Sequence, residues 1–165
     1  MWQKQRNQIV QRFMDYAELA SAEGFIIAGE AHCGAAVDRS ERAIWIIETV
    51  DSPSVGLHFD IVHFYLAGER IEDSVKNLVP ITVHTHITDA KMYPNGQFDL
   101  LPLGRGELDS ITYLKAMHKA GWTDFITLEV SARVWSAEGY DPVQIAALSY
   151  SALNNAFKIA GVCRT

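Results

Sequence analysis

The sequence is poor in cysteine, in positive charge and in long apolar runs, and each shortage removes a class of protein. Cys33 and Cys163 are its two thiols, far apart and outside any zinc-knuckle spacing. Neither a disulfide framework nor a small zinc module is therefore expected, and reduced thiols fit the cytoplasm. Lys and Arg number 14 against 20 Asp and Glu, a net charge of −6. That balance opposes the basic stripe of a nucleic-acid surface. No stretch approaches the roughly 20 apolar residues of a membrane span. The polar start, Met1-Trp-Gln-Lys-Gln-Arg-Asn7, does not read as a signal peptide. No linker or low-complexity tract divides the 165 residues. One domain over 1–165 is expected, cytoplasmic, with neither a membrane nor a nucleic acid as partner.

The rest of the chain is organised around Ile81-Thr-Val-His-Thr-His-Ile-Thr-Asp89. The β-branched run reads as a buried strand, and alternation places Thr82, His84 and His86 on one face. Before it, apolar residues at helical spacing from Trp2 to Ala22 predict an amphipathic helix stopped by Gly24. Phe25-Ile-Ile-Ala-Gly-Glu30 is a strand that closes on a carboxylate. Asp38 and Ser40 offer N-caps for a helix through Val50. Val55-Gly-Leu-His-Phe-Asp60 is a second strand with a terminal acid, and a helix over 71–78 follows it. Residues 90–105, rich in Pro and Gly, read as a loop. Asp109 caps a helix over 110–120, Phe125-Ile-Thr-Leu-Glu129 is the fourth strand, and Asp141-Pro142 opens the last helix.

This order, one helix and then four strand–helix units, predicts an α/β fold with a parallel sheet covered on both faces. In such a sheet all strands end at one edge, where α/β proteins place their sites. Four strands out of four end in a metal-capable side chain: Glu30, Asp60, His86 and Glu129. Three carboxylates and an imidazole carry too much negative charge to sit together without a cation. One divalent ion is expected, with Mn²⁺, Mg²⁺ or Co²⁺ ahead of Zn²⁺ for so oxygen-rich a set. Such an ion polarises a carbonyl, and a carboxylate beside it can move a proton at the adjacent carbon.

The ordered set Gly-Glu30-Ala-His32, Phe-Asp60-Ile-Val-His63, His84-Thr-His86-Ile-Thr-Asp89, Leu103-Gly-Arg-Gly-Glu-Leu-Asp109 and Thr-Leu-Glu129 resembles the xylose isomerase-like TIM barrels. That superfamily joins sugar phosphate isomerases and epimerases with AP endonuclease family 2. The resemblance implies that Glu30, Asp60, His86 and Glu129 hold the metal and that Glu30 and Glu129 are the acid–base pair. It implies substrate-binding roles for His63, and for Arg105 in the Gly104–Gly106 turn at the pocket border. Lys91 falls near a substrate-binding arginine of the epimerase branch, although Met92 occupies that position itself. The nuclease branch carries an additional Asp-x-His that would fall at Phe98 and Leu100, both apolar here.

The resemblance covers the carboxyl-terminal half of the barrel, since a complete one has eight strands and about 250 residues. A partial (β/α) barrel is expected, with open edges and an apolar inner face, completed by another copy or by a missing amino-terminal half. The implied activity is metal-dependent isomerisation or epimerisation of a small polyhydroxy carbonyl compound. Alternatives are dehydration of an inosose-type ketone, phosphodiester cleavage of the AP endonuclease kind, or an inactive fragment. His32 is a pocket candidate or a loop histidine. His84 reads as orienting His86 or as packing, His58 as a core histidine, and Asp89 as a tie for the loop. Cys33 lacks an evident base, and Trp122 and Trp135 read as packing groups.

Overall fold

A computed structural model describes residues 1–163. Helix α1 (Trp2–Glu23) ends on Gly24 at φ 75°, a left-handed cap that glycine adopts without a Cβ penalty. Strand β1 (Ile27–Glu30), helix α2 (Ser40–Val50) and strand β2 (Val55–Asp60) follow. Helix α3 (Ile61–Leu66) begins directly from β2, before α4 (Ile71–Leu78). A 3₁₀ turn (Val79–Ile81) leads into β3 (Thr82–Ile87). Then come β4 (Asp89–Met92), β5 (Phe98–Leu101), α5 (Ser110–Lys119), β6 (Thr127–Leu128), α6 (Ala132–Trp135) and α7 (Pro142–Ala160). Asp141 caps α7 by accepting from the Val143 and Gln144 N–H groups, with Pro142 at the first helical position. No helix among the described residues is long and apolar enough to cross a membrane.

The sheet runs β1-β2-β3-β6, parallel throughout, so the four strands reach one edge together. This is the arc of a (β/α) barrel, with β1 and β6 as its two open edges. One face is packed by helices. Leu57, Phe59 and Ile87 join Phe64, Leu78, Tyr113, Leu114 and Leu153 in the main core. A smaller cluster around Val10, Ile46, Val50 and Val55 fixes α1 and α2. Gly29 lets α1 approach, because a Cβ there would lie 2.6 Å from the Phe13 ring.

The structure corrects several expectations. The inner face is mixed and not simply apolar: Glu30, His58, Asp60, His84, His86, Thr127 and Glu129 lie toward its carboxyl edge, with Ala28 and Val83 as exposed apolar members. It is also open: Ala28, on the same side as Glu30, is exposed, so helices cover one face and not two. Thr82 is not on that face. The ladder pairs Leu57 with Thr82 and then His58 with His84, which leaves Val83 as a β-bulge. Thr82 follows Leu57 to the helix side, where its hydroxyl donates to Leu78 O at 2.8 Å. Val83 turns inward over Gly56, whose missing side chain leaves it room.

Neither Asp38 nor Ser40 caps α2. Arg39 holds the cap position, while Asp38 accepts from Arg42 at 2.6 Å and Ser40 is bound through its N–H and hydroxyl to Glu69. Residues 90–105 are not wholly loop: β4 and β5 form an antiparallel hairpin, Asp89 opposite Leu101 through Met92 opposite Phe98. The fourth strand is shorter than 125–129, although Glu129 N–H still donates to Ile87 O at 3.1 Å.

Candidate metal centre

The centre is built from strand ends. Asp60 closes β2 and caps α3: its Oδ1 accepts from Val62 N–H at 3.1 Å, and the carboxylate is fully buried. Its Oδ2 is also buried and has no hydrogen-bond partner among the described residues. Because α3 starts at once, His63 stands one turn beyond, buried, with Nε2 3.7 Å from Asp60 Oδ2 and 4.0 Å from Glu30 Oε1. Ligand atoms of Glu30, Asp60 and His63 lie within 4.8 Å of one another. On the other side His86 Nδ1 lies 4.0 Å from Glu129 Oε2, and Glu129 stands within hydrogen-bonding reach of Asp60.

Electrostatics follow from that crowding. Burial raises the Asp60 carboxyl well above its ordinary range; the Val62 N–H offsets part, and Glu129 and Glu30 push it further. Glu30 is raised by burial and then by Glu129, with His32 opposing. His63 is lowered to about 4 by burial and by His32 and His58. His86 is lowered by burial, with Glu129 working the other way. Two ionised carboxylates in contact have no proton to share, so the cluster holds either protons or a cation. A buried acceptor oxygen without a donor, two further carboxylates and unprotonated imidazoles form a donor set that fits a divalent ion.

The remaining candidates divide into two groups. The His32 ring lies 3.8 Å from that of His63 between centroids, and its Nδ1 is 3.0 Å from Cys33 O. His32, Cys33 and His63 together offer a second small cluster at the mouth. Lys91, by contrast, is exposed on β4 with Nζ 5.7 Å over the Tyr93 ring, and Arg105 is exposed in its turn. Neither makes an ion pair with the carboxylates among the described residues.

Asp89 ties the loop that carries Arg105. Buried, its Oδ2 accepts from Gly104 N–H at 2.9 Å and Gly106 N–H at 2.8 Å. Its Oδ1 accepts from Leu108 at 3.0 Å and from Ala90 at 2.9 Å.

Arg133 was missed. From α6 it donates to Phe98 O at 2.9 Å and stacks on the Phe98 ring at 4.7 Å, and its charge acts on Cys33. The signal was present: it is the one basic residue between Lys119 and Lys158, just past a strand end.

A family model described as "Xylose isomerase-like TIM barrel" matches residues 3–153. The chain is 30% identical to the inosose isomerase of Bacillus subtilis (strain 168) over 122 residues, 70% of this chain and 44% of that protein. The crystal structure of a xylose isomerase domain protein from Planctomyces limnophilus superposes with TM-score 0.77 at 21% identity, covering 95% of this chain and 55% of the other. The IOLI protein, solved with a zinc atom, gives TM-score 0.69 at 25% identity over 96% and 55%. The chain thus spans about half the length of the relatives it matches.

Proposed function

The chain belongs to the xylose isomerase-like TIM barrel family, and from that premise we propose that it supplies the metal-binding half of an isomerase or epimerase of small polyhydroxy carbonyl compounds. The observation that carries this reading is the buried, donorless Oδ2 of Asp60, flanked by Glu30, Glu129, His63 and His86 at the carboxyl edge of a parallel sheet. In this reading Glu30, Asp60, His86 and Glu129 hold one divalent cation. When bound, that cation neutralises the carboxylates and draws electron density from a substrate carbonyl.

The protein groups do the rest. Glu30 and Glu129 come from β1 and from the end of β6, on opposite sides of Asp60, and so can face a substrate carbon from two sides. One removes the proton next to the carbonyl and the other returns one, which inverts the centre or moves the carbonyl. His63 and His32, stacked beside Glu30, orient hydroxyls, and the Arg105 turn borders the pocket. The similarity to inosose isomerases suggests a cyclic polyol ketone as substrate. The opposite wall of the pocket comes from a second copy or from further strands that continue the arc at β1 and β6. The nuclease reading is disfavoured because Phe98 and Leu100 place apolar side chains where that branch needs ligands.

The test combines two readouts. Mn²⁺ binding, followed by electron paramagnetic resonance, is lost in Asp60→Asn and largely kept in Glu129→Gln. Solvent deuterium enters the carbon next to the carbonyl of an inosose with the wild type and not with Glu129→Gln. Loss of water from the ketone would move the assignment to the dehydratase alternative. Unchanged Mn²⁺ affinity in Asp60→Asn, or unchanged exchange in Glu129→Gln, refutes the proposal.

A further inference from the structure

The inner face carries three imidazoles, His86 level with Asp60 and His58 and His84 one layer below. His58 and His84 are direct partners across the β2–β3 ladder, and His86 follows His84 by two on the same face. Their ring centroids are 5.0 Å (His58–His84), 4.1 Å (His58–His86) and 5.3 Å (His84–His86) apart, each pair nearly edge-on. One nitrogen from each lies within 4.8 Å of the others. His58 Nε2 is buried and has no hydrogen-bond partner among the described residues. The bulge at Val83 produces this set: without the inserted residue, His84 would follow Thr82 to the same parity and the register opposite His58 would slip by one.

We propose that His58, His84 and His86 form a second cation site, made of nitrogen alone, that takes a borderline divalent ion such as Zn²⁺ in preference to Mn²⁺ or Mg²⁺. Two histidines alternating on one strand and a third on its neighbour can converge on one point, with an open fourth position. A zinc–nitrogen bond of about 2.0 Å with tetrahedral angles puts imidazole centres about 5 Å apart, close to two of the three separations here. Small rotations of His58 and His86 bring the third into line. Imidazole nitrogen suits Zn²⁺, whereas Mg²⁺ and Mn²⁺ favour oxygen. An ion on the histidines also takes His86 from the carboxylate set above, so the two sites are alternatives. That exclusivity rests on the carboxylate reading; the histidine site itself does not.

X-ray absorption at the zinc edge of the loaded 165-residue chain counts the imidazoles. Three are expected, and one or two with an oxygen shell would overturn the site. His84→Asn should weaken Zn²⁺ binding at least about tenfold, the lower end of what losing an outer-shell partner already costs, and leave Mn²⁺ affinity unchanged. His58→Asn gives the same reading should His84→Asn not fold. Equal Zn²⁺ affinity in the wild type and the folded variant refutes the proposal. Asp60→Asn separates the two sites: it should remove Mn²⁺ binding and keep three imidazoles around zinc. If Mn²⁺ binding survives there, the carboxylate centre fails while the histidine site stands on its zinc count.

Discussion

Asp60→Asn should make the metal-free protein more stable while removing its response to metal. Asn retains an oxygen for the Val62 N–H that Asp60 now accepts at 3.1 Å. Its amide group replaces the buried Oδ2 and can donate to Glu129 at any pH, whereas Asp60 does so only by holding a proton. A donor to a charged acceptor that needs no proton uptake, and the loss of one buried ionisable group, contribute about 1–3 kcal/mol together. The wild type, in turn, gains about 2.7 kcal/mol from Mn²⁺ at a hundredfold excess over its dissociation constant, which the variant should not. Urea unfolding in chelator and in Mn²⁺ measures both. A variant less stable than wild type in chelator, or one that Mn²⁺ still stabilises, would show that Asp60 is an ordinary cap and not a metal ligand.

Three further outcomes follow from the same geometry. Asp89→Ala strands four backbone N–H groups, three of them from the 104–108 segment, and should cost about 3–4 kcal/mol in urea unfolding; a loss under about 1 kcal/mol would mean that the turn is held otherwise. Gly29→Ala pushes a methyl against Phe13 and should cost about 1–3 kcal/mol, with Phe13→Ala in the same chain recovering part of it. Folded His58 and His63 are held near 4, below their ordinary value of about 6.5. Their contribution to stability is therefore full above about 6.5 and is lost as the pH falls toward 4. Asp60 acts oppositely: its raised value makes metal-free stability fall as the pH rises above the ordinary carboxylate range. Glu30, also raised, opposes the histidines in the same window, so in chelator the Asp60→Asn, Glu30→Gln double variant should gain stability from pH 4 to 6.5, and a flat profile there would contradict the histidine assignment.

Much of the fold was legible because its signals are local. Period-2 and period-3.6 patterns give β2, α4 and α7 at nearly their observed bounds, with Asp141-Pro142 and Gly24 marking ends by their own chemistry. What was missed depends on partners distant in sequence. Asp38 and Ser40 look like caps until Glu69, 29 residues beyond Ser40, takes the serine. The run 61–66 continues an apolar strand with no turn residue, and only the capping bond from Asp60 turns it into a helix. The 90–105 stretch reads as loop because its Pro and Gly mask a four-residue hairpin whose partner strand is invisible to periodicity. Alternation failed at Thr82 for one reason, the single inserted residue at Val83.

The same division separates the candidate residues that the strand pattern marks from those it does not. Glu30 and Asp60 are the last residues of β1 and β2, His86 is next to last in β3 and Glu129 directly follows β6, and a parallel sheet delivers such positions to one edge whatever the exact register. His63, named from the resemblance alone, stands beside Asp60 and Glu30 because α3 starts at once, a start the pattern does not show, and His58 depends on a bulge that sets its register against His84. The outer face carries the apolar core, and little of that core comes from the inner face. The inner face is therefore free to be polar, crowded with like charge and electrostatically costly, provided a cation or protons relieve it. Core packing and the candidate centre lie on opposite sides of one sheet, so the candidate ligands can crowd together without the core depending on them.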